Sequence, residues 1–190
     1  YEKKFYFMIR LFDVVLSSLG LIIFSPLICL VYFIIYAENK SPIFFQERLG
    51  REMKTFLLIK FRTMNKGTGN YATHLVDPKS ISNIGKLLRK TKIDELPQLW
   101  NVLKGEMSIV GPRPCLTTQR ELIKARLKFN IYSSKPGITG LAQISGIDMS
   151  NPFLLAEAER KMLRNFSVFS YFYYIILTVL GFGLGDRVKR

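Results

Sequence analysis

The chain has 190 residues, with 28 Lys and Arg against 14 Asp and Glu, a formal net charge of +14, and 48% hydrophobic residues. That hydrophobic content excludes a disordered polybasic tail, and the length argues for one domain instead of two packed ones. Cys29 and Cys115 lie far apart with no CxxC, which argues for reduced thiols and cytoplasmic chemistry and against a disulfide framework or a zinc site. The chain opens with Tyr1 instead of Met, which keeps open that it is the end of something longer.

The first element is set by an absence of charge. From Val14 to Ala37 there are 24 residues without a charged side chain, about 36 Å as a helix at ~1.5 Å per residue, enough to cross a bilayer. The run is longer than a signal-peptide core, and no small-residue cleavage site follows it before Glu38. Pro26, behind Ser25 at its middle, deletes a backbone hydrogen bond and favours a kink, so a helix-break-helix is expected. Lys3, Lys4 and Arg10 precede the run and Lys40, Arg48, Arg51 and Lys54 follow it, whereas a spanning helix carries its Lys/Arg excess on one side. A re-entrant hairpin over residues 1–38, dipping into one leaflet with its apex at Ser25 and Pro26, satisfies both features. The Ser25 hydroxyl would then serve a carbonyl freed by the kink. A kinked transmembrane helix is the alternative.

Residues 39–190 are expected to form the body. Ile43 to Arg48 and Lys54 to Phe61 read as extended segments around a turn at Leu49-Gly50-Arg51. Lys66 to Pro78 has the composition of a loop and carries the single histidine, His74, read as a solvent residue. Ser82 caps a helix with Ile84, Leu87 and Leu88 inward and Lys86, Arg89 and Lys90 outward. Past Asp94 and Glu95, the residues Leu96, Leu99, Trp100 and Leu103 recur at helical spacing, with Pro97 in the first turn and Gly105 as the C-terminal cap. Leu116 to Lys128 reads as a basic amphipathic helix, with Leu116, Ile123 and Leu127 against Arg120, Lys124, Arg126 and Lys128, a face suited to anionic headgroups. A second uncharged run, Asn165 to Gly185, is 21 residues long and rich in Phe and Tyr. It suits the membrane interface or packing on the core, with a second span left open.

The stretch Lys92 to Pro114 sets adjacent carboxylates, Asp94 and Glu95, at a helix start ahead of a Gly111-Pro112-Arg113-Pro114 loop. Acids at a helix N-terminus are ordinarily capping residues. Their company points further. Arg62, Arg89 and Arg113 come from three segments, a proline-flanked arginine is preorganised for bidentate phosphate binding, and a helix N-terminus favours an anion. No P-loop, GxGxxG, HExxH or GxSxG occurs. Acid-based phosphate chemistry is left, in which an aspartate attacks phosphorus and a divalent cation offsets the charge, Mg²⁺ being the natural ion for oxygen ligands.

Four motifs in order resemble the bacterial sugar transferase family, the monotopic phosphoglycosyl transferases, in its small PglC-like type. They are Lys60 to Met64 (KFRTM), Asp94-Glu95-Leu96-Pro97-Gln98, Gly111-Pro112-Arg113-Pro114 and Pro136 to Gln143 (PGITGLAQ), behind a Ser-Pro hairpin. The resemblance covers Arg10 to about Asn165. It implies an α/β monotopic membrane protein with a re-entrant helix-break-helix and a small catalytic body with interfacial amphipathic helices, on the cytoplasmic face of the bacterial inner membrane. It also implies transfer of a sugar-1-phosphate from a UDP-sugar to undecaprenyl phosphate through a covalent phosphosugar-aspartate, with UMP released, in exopolysaccharide or other glycoconjugate synthesis. By similarity Asp94 is the nucleophile. Glu95 is a base or, with Asp94, a Mg²⁺ ligand. Arg113 holds phosphate, and Arg89, Arg62, Lys60, Gly111 and Pro112 are further substrate-binding candidates. Arg10 and Asp13 match a basic-x-x-acid pair, and Ser25 and Pro26 the hairpin apex. The chain departs from the family pattern at Ile147, where many members place an arginine, at Glu159 and Met162 in the C-terminal acid and tyrosine pattern, and at Tyr171, where an aspartate is often found.

Three other readings were weighed against this one. A nucleic-acid binder is disfavoured, because the cations are spread over five segments and do not interleave with the aromatics, so no nucleic-acid partner is expected. A catalytically silent membrane anchor, and the catalytic end of a larger polyprenyl glycosylphosphotransferase, stand as the alternatives.

Overall fold

The uncharged run lies inside one helix, α1 (Glu2–Asn39), in a computed structural model that describes residues 2–64 and 80–183. By length and composition, α1 is the one helix among the described residues that could cross a membrane. Its backbone stays α-helical through Pro26, so no non-helical residue separates the two halves expected of a helix-break-helix. The local chemistry accounts for this. Ser25 Oγ donates a 2.8 Å hydrogen bond to the Ile22 carbonyl, the group four residues before Pro26 that a proline nitrogen cannot serve.

Burial along α1 is interrupted at the same place. Ile9, Asp13 and Ser17 are buried against the body, and so are Val31 and Ile35, but residues 22–26 are exposed without exception. Five consecutive residues at about 100° each cover the whole circumference of a helix. The middle of α1 therefore stands clear of the body while both ends pack on it.

The body begins with a hairpin, β1 (Ile43–Leu49) and β2 (Thr55–Phe61), antiparallel with Arg48 opposite Phe56, Gln46 opposite Leu58 and Phe44 opposite Lys60. These six residues share one face of the sheet, as the two-residue period of a strand requires. The expected His74 loop lies outside the described residues. Next come α2 (Asn83–Thr91), a 3₁₀ turn (Ile93–Glu95), α3 (Gln98–Lys104) and β3 (Ser108–Val110). They are followed by α4 (Arg120–Lys128), β4 (Gly137–Thr139), α5 (Leu141–Ile144), α6 (Pro152–Arg164) and α7 (Val168–Val179). β3 and β4 pair in parallel, Ser108 with Gly137 and Val110 with Thr139. The chain is thus a mixed helix and strand protein led by one long apolar helix.

Several expected faces change. Ser82 does cap α2, its Oγ accepting from the Gly85 amide at 3.0 Å, but Leu87 is exposed and Arg89 is buried. On α3 the core side is Gln98, Asn101 and Val102, while Trp100 is exposed. The predicted leucine stripe faces α1, where Leu99 packs so closely on Gly20 that an added Cβ would lie 3.0 Å from its Cδ1. α4 starts at Arg120, not Leu116, and buries Leu122 and Arg126 while leaving Leu127 exposed. The second uncharged run forms the 12-residue α7 within its described part, roughly 18 Å long and short of the ~30 Å hydrocarbon core. Tyr171 and Tyr174 are buried there, whereas Phe169 and Val179 are exposed.

Polar groups fasten α1 to this body. Arg10 donates to the carbonyls of Val102 (2.5 Å) and Leu103 (2.7 Å), acceptors in the last turn of α3. Asp13 Oδ1 accepts from Ser108 Oγ at 3.0 Å, the Ile109 amide at 2.9 Å and the Tyr171 hydroxyl at 2.8 Å. Asp13→Ala leaves three buried donors without their acceptor and is expected to cost about 3 kcal/mol or more, against about 1 kcal/mol for Tyr171→Phe. Thermal melts in detergent should rank the two variants in that order, and an equal or reversed order would dismiss Asp13 as the hub.

Candidate active site

Asp94 is reached from the helix before it. Lys92 closes α2 in the left-handed region (φ 57°), and the chain turns sharply into the 3₁₀ turn that carries Asp94 and Glu95. The acid pair therefore sits in the link between α2 and α3, three or four residues short of the first residue of α3. Asp94 is 7% exposed. It opens onto a cleft whose cations are Arg48, Lys60, Arg89, Lys92 and Arg113, with Gln98, Gly137, Ile138 and Met149 completing part of the wall.

The cations come from three parts of the fold, the hairpin, the end of α2 and the loop after β3. Lys60 and Arg48 lie on the same face of the hairpin, Arg89 is in the last turn of α2, and Arg113 follows β3. Arg48 is buried and held in place, Nη1 donating to the Pro114 carbonyl at 3.1 Å and Nη2 to Gln46 Oε1 at 2.5 Å. Arg113 Nη2 lies 3.9 Å from Glu95 Oε1, a distance that leaves both groups able to turn to a ligand.

Burial raises the Asp94 pKa above the usual carboxylate range, and Glu95 adds to this, while Lys60, Arg89 and Arg113 oppose it. Lys60 is shifted the other way, chiefly by burial and then by Arg48. Arg48 itself is lowered to about 10, by burial first and Arg113 second. Five cations face two carboxylates, so the cleft is built for a ligand more negative than its own acids.

The Arg113 loop is placed by a crossing of glycines. A Cβ on Gly137 would fall 2.0 Å from the Gly111 nitrogen, and one on Gly111 would fall 2.5 Å from the Lys135 carbonyl, so only glycine fits at either place. Gly111 and Pro112 act through this crossing, the Pro112 carbonyl accepting from the Gly137 amide at 2.8 Å. Arg113 is then gripped by a buried ion pair. Glu159 Oε1 accepts from the Arg113 amide at 3.1 Å, and Arg126 Nη2 donates to the Arg113 carbonyl at 2.6 Å. Arg126 also donates to both Glu159 oxygens, at 2.8 and 2.5 Å.

Asp94, Glu95, Lys60, Arg89 and Arg113 are thus brought together as the sequence reading expected, with Gly111 and Pro112 behind them. Arg62 is not among them. It sits past the end of β2, where Nε donates to the Ser41 carbonyl at 2.8 Å and the guanidinium lies 5.1 Å from the Phe44 ring centroid. Ser25 and Pro26 are on the exposed middle of α1, apart from the cleft. The sequence reading placed Arg48 among membrane-flanking charges and Arg126 on a basic surface. The signal for Arg48 was the two-residue alternation that puts Gln46 and Arg48 on the same face of the hairpin as Lys60. For Arg126 there was none, because its partner Glu159 lies 33 residues away.

As for a metal, no group of three or more His, Cys, Asp or Glu side chains is poised to hold one among the described residues. Asp94 and Glu95 offer carboxylate oxygens alone, a donor set that fits an ion shared with a diphosphate and does not fit one caged by protein.

Because a lone buried charge costs more than a pair, Glu159→Leu is expected to destabilise by about 3–5 kcal/mol, while Arg126→Met combined with Glu159→Leu recovers most of that loss. Chemical denaturation of the single and double variants checks the coupling, and additive losses would refute it.

Comparison with known proteins agrees with this geometry. The family model described as bacterial sugar transferase matches residues 4–183. An uncharacterized sugar transferase of Haemophilus influenzae is 40% identical over 154 residues, covering 72% of this chain and 32% of that protein. The uncharacterized sugar transferase EpsL of Bacillus subtilis is 37% identical over 171 residues, covering 90% of this chain and 84% of EpsL. A Klebsiella pneumoniae protein named UDP-glucose:undecaprenyl-phosphate glucose-1-phosphate transferase is 37% identical over 142 residues, covering 72% of this chain and 30% of that protein. The chain therefore spans about a third of the length of two of these relatives and most of the third. With the match running through α1, the acid pair, the Arg113 loop and the glycine crossing, the chain belongs to the bacterial sugar transferase family.

Proposed function

We propose that this protein transfers a sugar-1-phosphate from a UDP-sugar to undecaprenyl phosphate at the cytoplasmic face of the bacterial inner membrane. The observation that carries the reading is the buried Asp94 opening onto a cleft with five cations, drawn from the β1–β2 hairpin, the end of α2 and the loop after β3. Both substrates are phosphate anions, and one of them is a lipid. The name of the Klebsiella relative contains the same donor nucleotide and acceptor. The transferase segment recurs as most of EpsL and as about a third of longer relatives, so the reaction is assigned to the segment itself.

In the first half-reaction an Asp94 carboxylate oxygen forms a bond to the sugar-bearing phosphorus, and the bond between that phosphorus and the bridging oxygen breaks, its electron pair leaving with UMP. In the second, an oxygen of undecaprenyl phosphate attacks the same phosphorus and the Asp94 carboxylate departs. Arg113, Arg89, Lys60 and Arg48 neutralise charge that builds on phosphate oxygens, Arg48 from a position set by its bonds to Pro114 and Gln46. Glu95, next to Asp94 and 3.9 Å from Arg113, orients that guanidinium or takes a proton from the acceptor phosphate. When bound, Mg²⁺ offsets the repulsion between the Asp94 carboxylate and the diphosphate, with Asp94 and Glu95 as its protein ligands.

The membrane part of the proposal is a re-entrant α1 that dips into one leaflet. The clear middle at residues 22–26, the carbonyl served by Ser25 and the packing of both ends on one body support it. Single cysteines at Tyr6 and Glu38, in a background without Cys29 and Cys115, should label from the same side of sealed vesicles. Labelling from opposite sides would overturn the re-entrant arrangement.

The reaction is tested by UMP release from a panel of UDP-sugars by detergent-purified protein with undecaprenyl phosphate, with and without a chelator. Asp94→Asn is expected to lose three or more orders of magnitude, on the scale of removing a covalent nucleophile. Chelation should abolish release and Mg²⁺ should restore it. The pH profile follows from the two shifts. Attack needs Asp94 ionised, and its raised pKa moves the acid limb above the ordinary carboxylate range. Lys60 must stay protonated, and its lowered pKa moves the alkaline limb below the ordinary lysine range. A flat rate across that interval, or full activity in Asp94→Asn, would defeat the assignment.

A further inference from the structure

The hairpin fixes Lys60 relative to Arg48, because both residues lie on it, but Asp94 belongs to another unit, the turn between α2 and α3. The separation of Lys60 from Asp94 is therefore set where β2 meets α3. Phe56 and Leu58 of β2 pack there with Val102 and Met107. Apolar contacts of this kind have no direction, so they tolerate a small slip of one element past the other.

β2 is paired with β1 on one side and has no strand on the other. The Leu57 carbonyl and the Ile59 amide point to that open side, residues two apart in a strand facing the same way. One side chain takes both. Asn101 Oδ1 accepts from the Ile59 amide at 3.0 Å, and Nδ2 donates to the Leu57 carbonyl at 2.7 Å. The buried Asn101 amide thus does for β2 what a third strand would do.

The amide is also held from behind. Nδ2 donates its other hydrogen to Glu106 Oε2 at 2.7 Å, and Lys104 Nζ donates to Glu106 Oε1 at 2.6 Å. The backbone carbonyl of Asn101 accepts from the Glu106 and Met107 amides at 3.1 and 3.3 Å. With two acceptors against its nitrogen and one donor against its oxygen, a flipped amide would set Oδ1 against the Leu57 carbonyl and the Glu106 carboxylate.

This clamp lies one helical turn from the reaction cleft. Gln98 lines the cleft, and Asn101 follows it by three residues on the same buried face of α3. Lys60 is the residue after Ile59. Burial, Arg48 and Arg89 press on its ammonium, Asp94 and Glu95 draw it in, and Lys92 and Arg113 complete the charges of the cleft. A cation so placed gains by moving out to water, which a strand free to shift would allow.

We propose that Asn101 is a positioning residue, which holds the strand that carries Lys60 at a fixed distance from the turn that carries Asp94. The inference deepens the transferase reading and rests on it for the part Lys60 plays in the reaction. Asn101 is not among the residues that line the cleft, and acts on the chemistry through Lys60.

The test follows Lys60 in the detergent-purified protein by acylation with a small amine reagent across a range of pH, read by mass spectrometry. Asn101→Ala should move the Lys60 midpoint up, toward that of the surface lysines, as the loosened strand lets the ammonium reach water. Turnover should fall by about two orders of magnitude, the scale of a ~1 Å misplacement. Glu106→Ala should move the midpoint in the same direction, whereas Glu106→Gln should leave it in place, because glutamine keeps an acceptor for Asn101 Nδ2 and both variants lose the same charge. That pair carries the test even where Asn101→Ala fails to fold. Val102→Ala loosens only the apolar packing at the same joint and should also leave the midpoint unmoved. A wild-type midpoint in Glu106→Ala or in folded Asn101→Ala would sink the proposal, and so would an equal shift in Glu106→Gln or Val102→Ala. Full turnover in Asp94→Asn would defeat the transferase reading alone, since acylation reports on Lys60 without turnover.

Discussion

One oxygen of Asp13 accepts three hydrogen bonds, from the Ser108 hydroxyl, the Ile109 amide and the Tyr171 hydroxyl, and through them the long apolar helix, a strand and the last described helix share a single origin. The constraint matters because apolar packing cannot supply it. Apolar side chains run the length of α1, so nothing in their hydrophobicity decides where along the helix the body attaches. A buried carboxylate with three donors does decide it, since any slip leaves polar groups unpaired. Arg10, one turn earlier, adds a second fixed point at the end of α3.

From that origin the geometry runs outward to the cleft. Asp13 places β3, the end of β3 becomes the Gly111 to Pro114 loop, and the loop is pressed against Gly137 too closely for any side chain at either glycine. Loops held by prolines and glycines have little apolar surface with which to fix themselves. Here a buried pair, Arg126 with Glu159, does the work by taking both the amide and the carbonyl of Arg113. Such a pair adds little net stability, because desolvation offsets most of its attraction. What it contributes is the position of Arg113 at the cleft.

Much of the fold was legible because it rests on local rules. The charge-free run, the hairpin, the Ser82 cap and the use of the Ser25 hydroxyl at Pro26 depend on residues within a few positions of one another. The misreadings share a cause. The spacing of the α3 leucines left their partner open, and Leu99 packs on α1, because periodicity marks an apolar face without saying what lies against it. Arg126 was assigned to the surface, since helical spacing alone cannot reveal a buried partner from a distant segment.

The site divides along the same line. The amino-acid sequence by itself determined that an acid pair, a proline-bound arginine and two glycine motifs accompany a long charge-free helix, since motifs and hydrophobic runs are properties of neighbouring residues. Only the tertiary structure decided which cations reach Asp94. Lys60 and Arg62 look alike in sequence, yet Lys60 faces Asp94 from within the sheet. Arg62, past its end, is drawn to the Ser41 carbonyl that no strand partner fills, while Arg48 takes the place in the cleft. The register of the hairpin and the crossing of the Gly111 and Gly137 loops direct those side chains, and both are set by contacts between segments far apart in the chain.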